Sequence, residues 1–196
     1  MPRAAGVEDR ADDRALIERA KHDRLAFAEL YRAHVGAVHA YVARTTGSRD
    51  VADEVTSATF EKALRALPAF EWRGGGVRPW LLRIASNELA GWYRSHGRAT
   101  GSQAQQAATE SLHLATPDDP SEARSRELLV DAIREVLPSL RPNYRDAISL
   151  RYLGSMSATD AAAAIGCSKA TLAITLHRGL AALRIALDQR AKGMRS

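Results

Sequence analysis

Basic and aromatic side chains are concentrated in one short segment of the first half of the chain. All three tryptophans, Trp72, Trp80 and Trp92, lie there among arginines that outnumber the acidic residues. Guanidinium groups can follow a nucleic-acid backbone while aromatic rings accept unstacked bases, so the segment indicates binding of a single strand. The glycines at 74–76 would let a nucleotide approach the backbone closely. The alternative is that the tryptophans fill a core, which we favour for Trp92, and that the arginines form a solvated face.

A second group of candidate binding residues lies near the carboxyl terminus. Ser157 can cap a short helix, Gly166 suits its left-handed end, and Ser168 can cap the next helix after a one-residue gap. So tight a turn is typical of a helix-turn-helix, whose second helix enters the major groove of duplex DNA. On a helical wheel the leucines of the second helix share one face. The opposite face, with the first turn, carries Lys169, Thr171, Ile174, His177 and Arg178. A solvated outer face is the alternative interpretation.

Composition excludes several classes of protein. The single cysteine, Cys167, cannot form an internal disulfide or a zinc site of several cysteines. The six histidines form no metal-spaced pair, and no nucleophile motif or phosphate-binding loop is present. We therefore expect no catalytic residues, no metal and no cofactor. A net charge of +5 and a pI of about 9.7 suit a polyanionic partner. Without a signal peptide or an apolar run near 20 residues, we expect a cytoplasmic protein with no membrane insertion.

The elements that must position these residues are helical. Apolar residues recur at helical spacing from Phe27 to Val42, and caps and prolines predict further helices over 48–67, 79–95, 142–153, 157–165 and 168–187. The predicted fold is all-α, with two small helical domains joined by a flexible linker and a helix-turn-helix in the second. We place a lead-in at 1–22, the first domain at 23–98, the linker at 99–123 and the second domain at 124–196. The linker contains no lysine, arginine or aromatic residue.

The order of these features resembles the small extracytoplasmic-function (ECF) sigma factors of bacterial RNA polymerase. The segment Phe27-Ala-Glu-Leu-Tyr31 opens like the first promoter-domain helix of that family, and 48–60 looks like its polymerase-binding helix. Pro79-Trp-Leu-Leu-Arg-Ile-Ala-Ser-Asn87 is similar to the helix that faces the minus-ten element. Leu137-Pro-Ser-Leu140, Leu150-Arg-Tyr-Leu153 and Leu176-His-Arg178 resemble the minus-thirty-five domain.

The resemblance implies a non-catalytic promoter-specificity subunit that binds core RNA polymerase and promoter DNA. It also implies an anti-sigma factor as a candidate partner. The implied minus-ten residues are Arg73, Trp80, Arg83, Asn87 and Arg94. The implied minus-thirty-five residues are Lys169, Thr171, Ile174, Thr175, His177 and Arg178, and the implied polymerase-binding residues are Asp53, Glu54 and Glu61.

The sequence departs from the family pattern in three places. Ala161 and Ala164 replace larger aliphatic residues, which predicts thinner packing in the second domain. Ala173 and Thr175 replace residues that are often basic, which predicts fewer phosphate contacts. In the polymerase-binding helix, Ser57 and Ala58 stand where the family usually has Gln and Glu, so fewer acidic and amide side chains are present. The main alternative function is a stand-alone helix-turn-helix regulator whose first domain dimerises or senses a ligand. An enzyme is the third and weakest hypothesis.

Overall fold

The computed structural model describes residues 8–72, 76–96 and 120–193. Its helices are α1 (Glu8–Ala20), α2 (Arg24–Thr46), α3 (Arg49–Ala66), α4 (Val77–His96), α5 (Pro120–Val136), α6 (Pro142–Ile148), α7 (Ala158–Ile165) and α8 (Lys169–Gly193). A π-helical turn, Ser149–Leu153, continues α6. The described ranges contain no strand, so the predicted all-α class is confirmed. The predicted loop residues Arg73, Gly74 and Gly75 and most of the predicted linker lie outside the described ranges.

Most predicted helix ends agree with the structure. The Ser48 hydroxyl accepts a hydrogen bond from the Val51 amide at 3.3 Å and begins α3. Gly166 ends α7 in the left-handed region with φ +81°. Two helices are longer than predicted: α4 begins at Val77 rather than Pro79, and α8 continues to Gly193.

The first domain consists of α1 to α4 around a continuous apolar core. Leu30, Val38, Phe60 and Leu81 are buried at its centre. Helix α1, from the segment that we interpreted as a lead-in, also enters this core, because its Ile17 is fully buried. The Asp13 carboxylate of α1 lies 3.5 Å from the Val77 amide at the start of α4. The lead-in therefore helps to hold the helix that carries the predicted minus-ten residues.

The second domain, α5 to α8, has only a small core of its own. Val136, Leu137, Leu140, Ile148 and Leu183 form it. Other buried residues of this domain, among them Leu150, Met156 and Leu172, belong to the cluster that continues from the first domain. The sequence predicted two domains joined by a flexible linker. In the structure these two domains pack against each other.

Helix α8 is long and apolar enough to cross a membrane by length and composition alone. Length and composition are weak support, since helices of soluble proteins pass the same test. In this structure Leu172 and Leu183 of α8 pack within the protein. The helix therefore acts as part of a helical domain.

Candidate nucleic-acid and polymerase interfaces

The helix-turn-helix is built by two serine caps around a glycine turn. The Ser157 hydroxyl accepts from the Asp160 amide at 3.1 Å, as predicted for a helix cap, and it also donates to the Asp160 carboxylate at 2.7 Å. The Ser168 hydroxyl accepts from the Thr171 amide at 3.0 Å and begins α8. Between the caps, Cys167 is half-buried against the apolar cluster, as expected for a packed thiol. The turn fixes where the outer face of α8 points.

The outer face of α8 carries most of the predicted duplex-binding residues. Ile174 is 55% exposed, and four polar residues are exposed with it: Lys169, Thr171, His177 and Arg178. Thr175 differs, because it is half-buried and its hydroxyl donates to the Thr171 carbonyl at 2.9 Å. The face thus offers cationic, apolar and hydroxyl groups, while the Thr175 hydroxyl is occupied within the helix.

Helix α4 separates a buried face from a polar one. Leu81, Leu82 and Leu89 are buried, whereas Arg83, Asn87 and Arg94 are exposed. The three predicted minus-ten residues of this helix therefore share an accessible face. Arg73 lies outside the described residues, so its prediction has no structural counterpart here.

The tryptophans near α4 act mainly as packing groups. Trp80 is half-buried, and its ring centroid lies 4.7 Å from that of Phe70. Trp92 packs on the core, as we favoured from the sequence, and its outer side stacks on His96 with centroids 4.6 Å apart. Of the two, Trp80 lies beside the start of the polar face and keeps an accessible portion that a base could contact.

The predicted polymerase-binding residues lie on one exposed face of α3. Asp53 accepts a bond from the His39 ring at 3.0 Å, and Glu61 accepts one from Arg65 at 3.0 Å, while Glu54 is exposed. Leu64, which our sequence analysis did not single out, lies on the same face and is 47% exposed. A helical wheel of α3 could have found it, since it falls between the positions of Asp53 and Glu61. An apolar side chain within an acidic face is suited to a protein partner.

A group of buried and half-buried polar residues between the domains was also missed by the sequence analysis. The Ser86 hydroxyl of α4 donates to the Asp146 carboxylate of α6 at 3.1 Å. Burial raises the pKa of Asp146, and Arg145 and Ser86 oppose that shift. The Arg145 guanidinium lies 5.6 Å from the centroid of the Tyr93 ring. Burial raises the pKa of Tyr93 to about 12.

Two family models match the two domains separately. Sigma-70 region 2 matches residues 30–99, and sigma-70 region 4 matches residues 131–183. The first match contains α3 and α4, and the second contains the helix-turn-helix. The exposed faces of α3 and α4 therefore fall in one region of the family, and the outer face of α8 falls in another.

Individual relatives agree with the family models. The ECF sigma factor SigL of Mycobacterium tuberculosis is 30% identical over 165 residues, covering 82% of this chain and 88% of its own. BldN of Streptomyces coelicolor, also an ECF sigma factor, is 27% identical over 192 residues, covering 97% and 71%. The solved structure of CnrH in complex with the cytosolic domain of CnrY is similar with a TM-score of 0.59 and 25% identity, covering 90% of this chain and 97% of CnrH. The chain therefore belongs to the ECF group of the sigma-70 family of RNA polymerase sigma factors.

Proposed function

We propose that this sigma factor, a non-enzymatic promoter-specificity subunit that binds core RNA polymerase and promoter DNA, divides its work among three surfaces. The proposal rests mainly on one observation: the polar face of α4 and the outer face of α8 are both accessible, whereas the other faces of these helices carry buried residues such as Leu81 and Leu172. We take residues 23–98 and 124–196 as the functional domains, with α1 completing the core of the first, and 99–123 as the linker that follows the RNA exit path of the polymerase.

In this proposal the polar face of α4 captures the melted minus-ten element. Arg83 and Arg94 neutralise the strand backbone, Asn87 offers an amide to a base edge, and Trp80 stacks with an extruded base. Arg73, which precedes α4 in the sequence, adds a further cation. Extruding a base costs a few kcal/mol, which stacking of about 1–3 kcal/mol per base offsets.

The outer face of α8 reads the minus-thirty-five element as duplex. Lys169 and Arg178 supply cations, His177 offers its ring nitrogens for hydrogen bonds, and Ile174 can contact a thymine methyl group. Thr171 supplies a hydroxyl. Thr175 contributes its methyl group and backbone position, because its hydroxyl bonds within the helix.

The acidic face of α3 binds the core enzyme through Asp53, Glu54 and Glu61, with Leu64 as an apolar contact. We further propose that the protein acts in the cytoplasm, where the polymerase works. An anti-sigma factor is the proposed regulatory partner, and the solved complex of the similar CnrH with CnrY supports a partner of this kind. The stand-alone regulator has no comparable support, because both matched regions are those of a sigma factor.

The decisive experiment is transcription in vitro with purified core polymerase and genomic fragments. We expect a holoenzyme on gel filtration and start sites that require the added chain; without a holoenzyme the proposal is wrong. Asn87→Ala should reduce permanganate reactivity of minus-ten thymines by about fivefold or more, since one lost base contact costs about 1–3 kcal/mol, while holoenzyme forms normally. Asn143→Ala, an exposed asparagine of α6, is the matched control. An unchanged footprint in Asn87→Ala would remove Asn87 from the minus-ten site.

A further inference from the structure

The first turn of α4 has no capping group in its own part of the sequence. Gly76 precedes the helix at φ +79° and has no side chain that could accept a hydrogen bond. The first turn contains Arg78 but no acidic residue, and Pro79 has no amide hydrogen. The partial positive charge at the amino end of α4 is therefore not compensated by neighbouring residues in the sequence.

Asp13 of α1 supplies the missing negative charge. Its carboxylate lies 3.5 Å from the Val77 amide, and a Cβ atom at Gly76 would lie 3.7 Å from Asp13 Oδ2. A contact of 3.5 Å is long for a hydrogen bond, so its main effect is that of a charge at the amino end of a helix dipole. The Asp13 side chain is only 25% exposed, so solvent and salt screen this attraction less than at a fully exposed site.

Two further contacts fix the position of the Asp13 carboxylate. Its Oδ1 atom lies 3.6 Å from Nε2 of His34, which belongs to α2. Ile17, one helical turn after Asp13 and on the same face of α1, is fully buried in the core of the first domain. The carboxylate therefore lies at a junction of three helices, and the core sets its place relative to α4.

The position of the first turn of α4 decides where the proposed minus-ten residues point. Trp80 lies three residues after Val77, and Arg83 and Asn87 follow on the same helix at spacings of three and four residues. Val77 is fully buried, so the start of α4 is held by the core on its apolar side and by Asp13 at its amide. A shift of this turn would move Trp80 and the polar face of α4 together.

We infer that Asp13 is a positioning residue for promoter melting: its negative charge holds the amino end of α4, and with it Trp80 and the polar face, in the orientation that captures minus-ten bases. Asp13 acts through α4 rather than by touching DNA. The inference gives α1, which precedes the region matched by the family model at 30–99, a part in opening the promoter. The effect on DNA rests on the proposed function, whereas the electrostatic hold on α4 does not.

Hydrogen exchange of the full chain tests the hold on α4. Asp13→Asn keeps the shape of the side chain and removes its charge, and Asp13→Glu keeps the charge. The matched control, Glu18→Gln, removes the charge of an exposed carboxylate of α1 that bonds to Lys21. Amides in the first two turns of α4 should exchange about two- to fivefold faster in Asp13→Asn alone, because a helix end loses its compensating charge. Circular dichroism must show that each variant is folded, and Asp13→Ser, which also lacks the charge, replaces Asp13→Asn if that variant is not.

Promoter opening tests the positioning role. With saturating holoenzyme, on a promoter that the wild type opens only partly, Asp13→Asn should lower the permanganate reactivity of minus-ten thymines by about two- to fivefold. Asp13→Glu and Glu18→Gln should remain close to wild type. A variant that was merely less stable would form less holoenzyme, and its opening would recover when more protein is added. The defect of Asp13→Asn should persist under that condition.

Each result decides a different part of the inference. Unchanged exchange in Asp13→Asn would overturn the hold on α4. Faster exchange with unchanged permanganate reactivity would overturn the positioning role, and so would an equal loss of reactivity in Glu18→Gln. If the wild type opens no promoter, the proposed function is wrong, and hydrogen exchange still decides whether Asp13 holds α4.

Discussion

At the scale of single residues, Arg178 gives the sharpest test of the duplex-reading face. It is exposed on the outer face of α8, together with Ile174 one turn earlier and the adjacent His177. Arg178→Ala should weaken binding of holoenzyme to the minus-thirty-five duplex by about 1–3 kcal/mol if the guanidinium contacts a base, and should lower the salt slope by about one if it contacts phosphate. Binding to core polymerase should not change. Filter binding at several salt concentrations measures both quantities.

The control for Arg178 is Arg184→Ala on the same helix. Arg184 is exposed but lies about 240° around the helical wheel from Arg178. Equal losses in the two variants would mean that α8 attracts DNA only through its overall charge, and the proposed reading face would be wrong.

Which residues are exposed on α4 and α8 could be predicted from the sequence, because a single helix fixes the relative directions of its own side chains. The polar face of α4 and the outer face of α8 were predicted in this way, and their accessibility agrees with it. The bond between Ser86 and Asp146 could not be predicted, since the two residues are 60 positions apart. The periodicity of one helix does not indicate which residues of another helix will contact it.

At the scale of elements, the packing of α8 on α6 depends on a glycine. Gly179 is buried, and a Cβ atom there would lie 3.2 Å from Cβ of Tyr144 and 3.3 Å from Cδ1 of Ile148. Gly179→Val should push α8 away from α6 and lower the free energy of unfolding by about 1–3 kcal/mol. Chemical denaturation measures this change. Ala181→Val, at an exposed position of α8, controls for the branched side chain, and an equal effect there would exclude a packing role for Gly179.

The same glycine explains an error in the sequence analysis. The leucine pattern placed Leu180 with Leu172, Leu176 and Leu183 on the core face, yet Leu180 is 40% exposed. Helices α6 and α8 approach closely at Gly179, and Leu180 lies about 100° away from Gly179 on the helical wheel. A pattern of apolar residues cannot reveal that two backbones approach at the position that has no side chain.

At the scale of the whole molecule, the sequence predicted two helical domains but not their contact. Ala161 and Ala164 of α7 had suggested a weakly packed second domain, and the structure shows that this domain has only a small core of its own. Those features instead match a domain that completes its burial against a neighbour. The arginines at the interface, such as Arg44, which donates to the Leu153 carbonyl at 2.7 Å, were also uninformative from the sequence, because an arginine that caps a distant helix has the same local pattern as a solvated one.

Asp146 makes the stability of the molecule depend on pH through this interface. Burial raises its pKa in the folded protein above the unfolded value of about 4. The folded state therefore holds its proton more tightly, and the stability contributed by Asp146 is lost as the pH rises through the folded pKa.

Asp146→Asn keeps a group that can bond to Ser86 and does not titrate. Its free energy of unfolding, measured in urea, should increase relative to wild type as the pH rises from about 4 to about 7. Asp188→Asn, at an exposed position of α8, measures the loss of one carboxylate away from the interface. If the difference between Asp146→Asn and wild type is constant or declines over this range, the Asp146 carboxyl is not buried between the domains in solution.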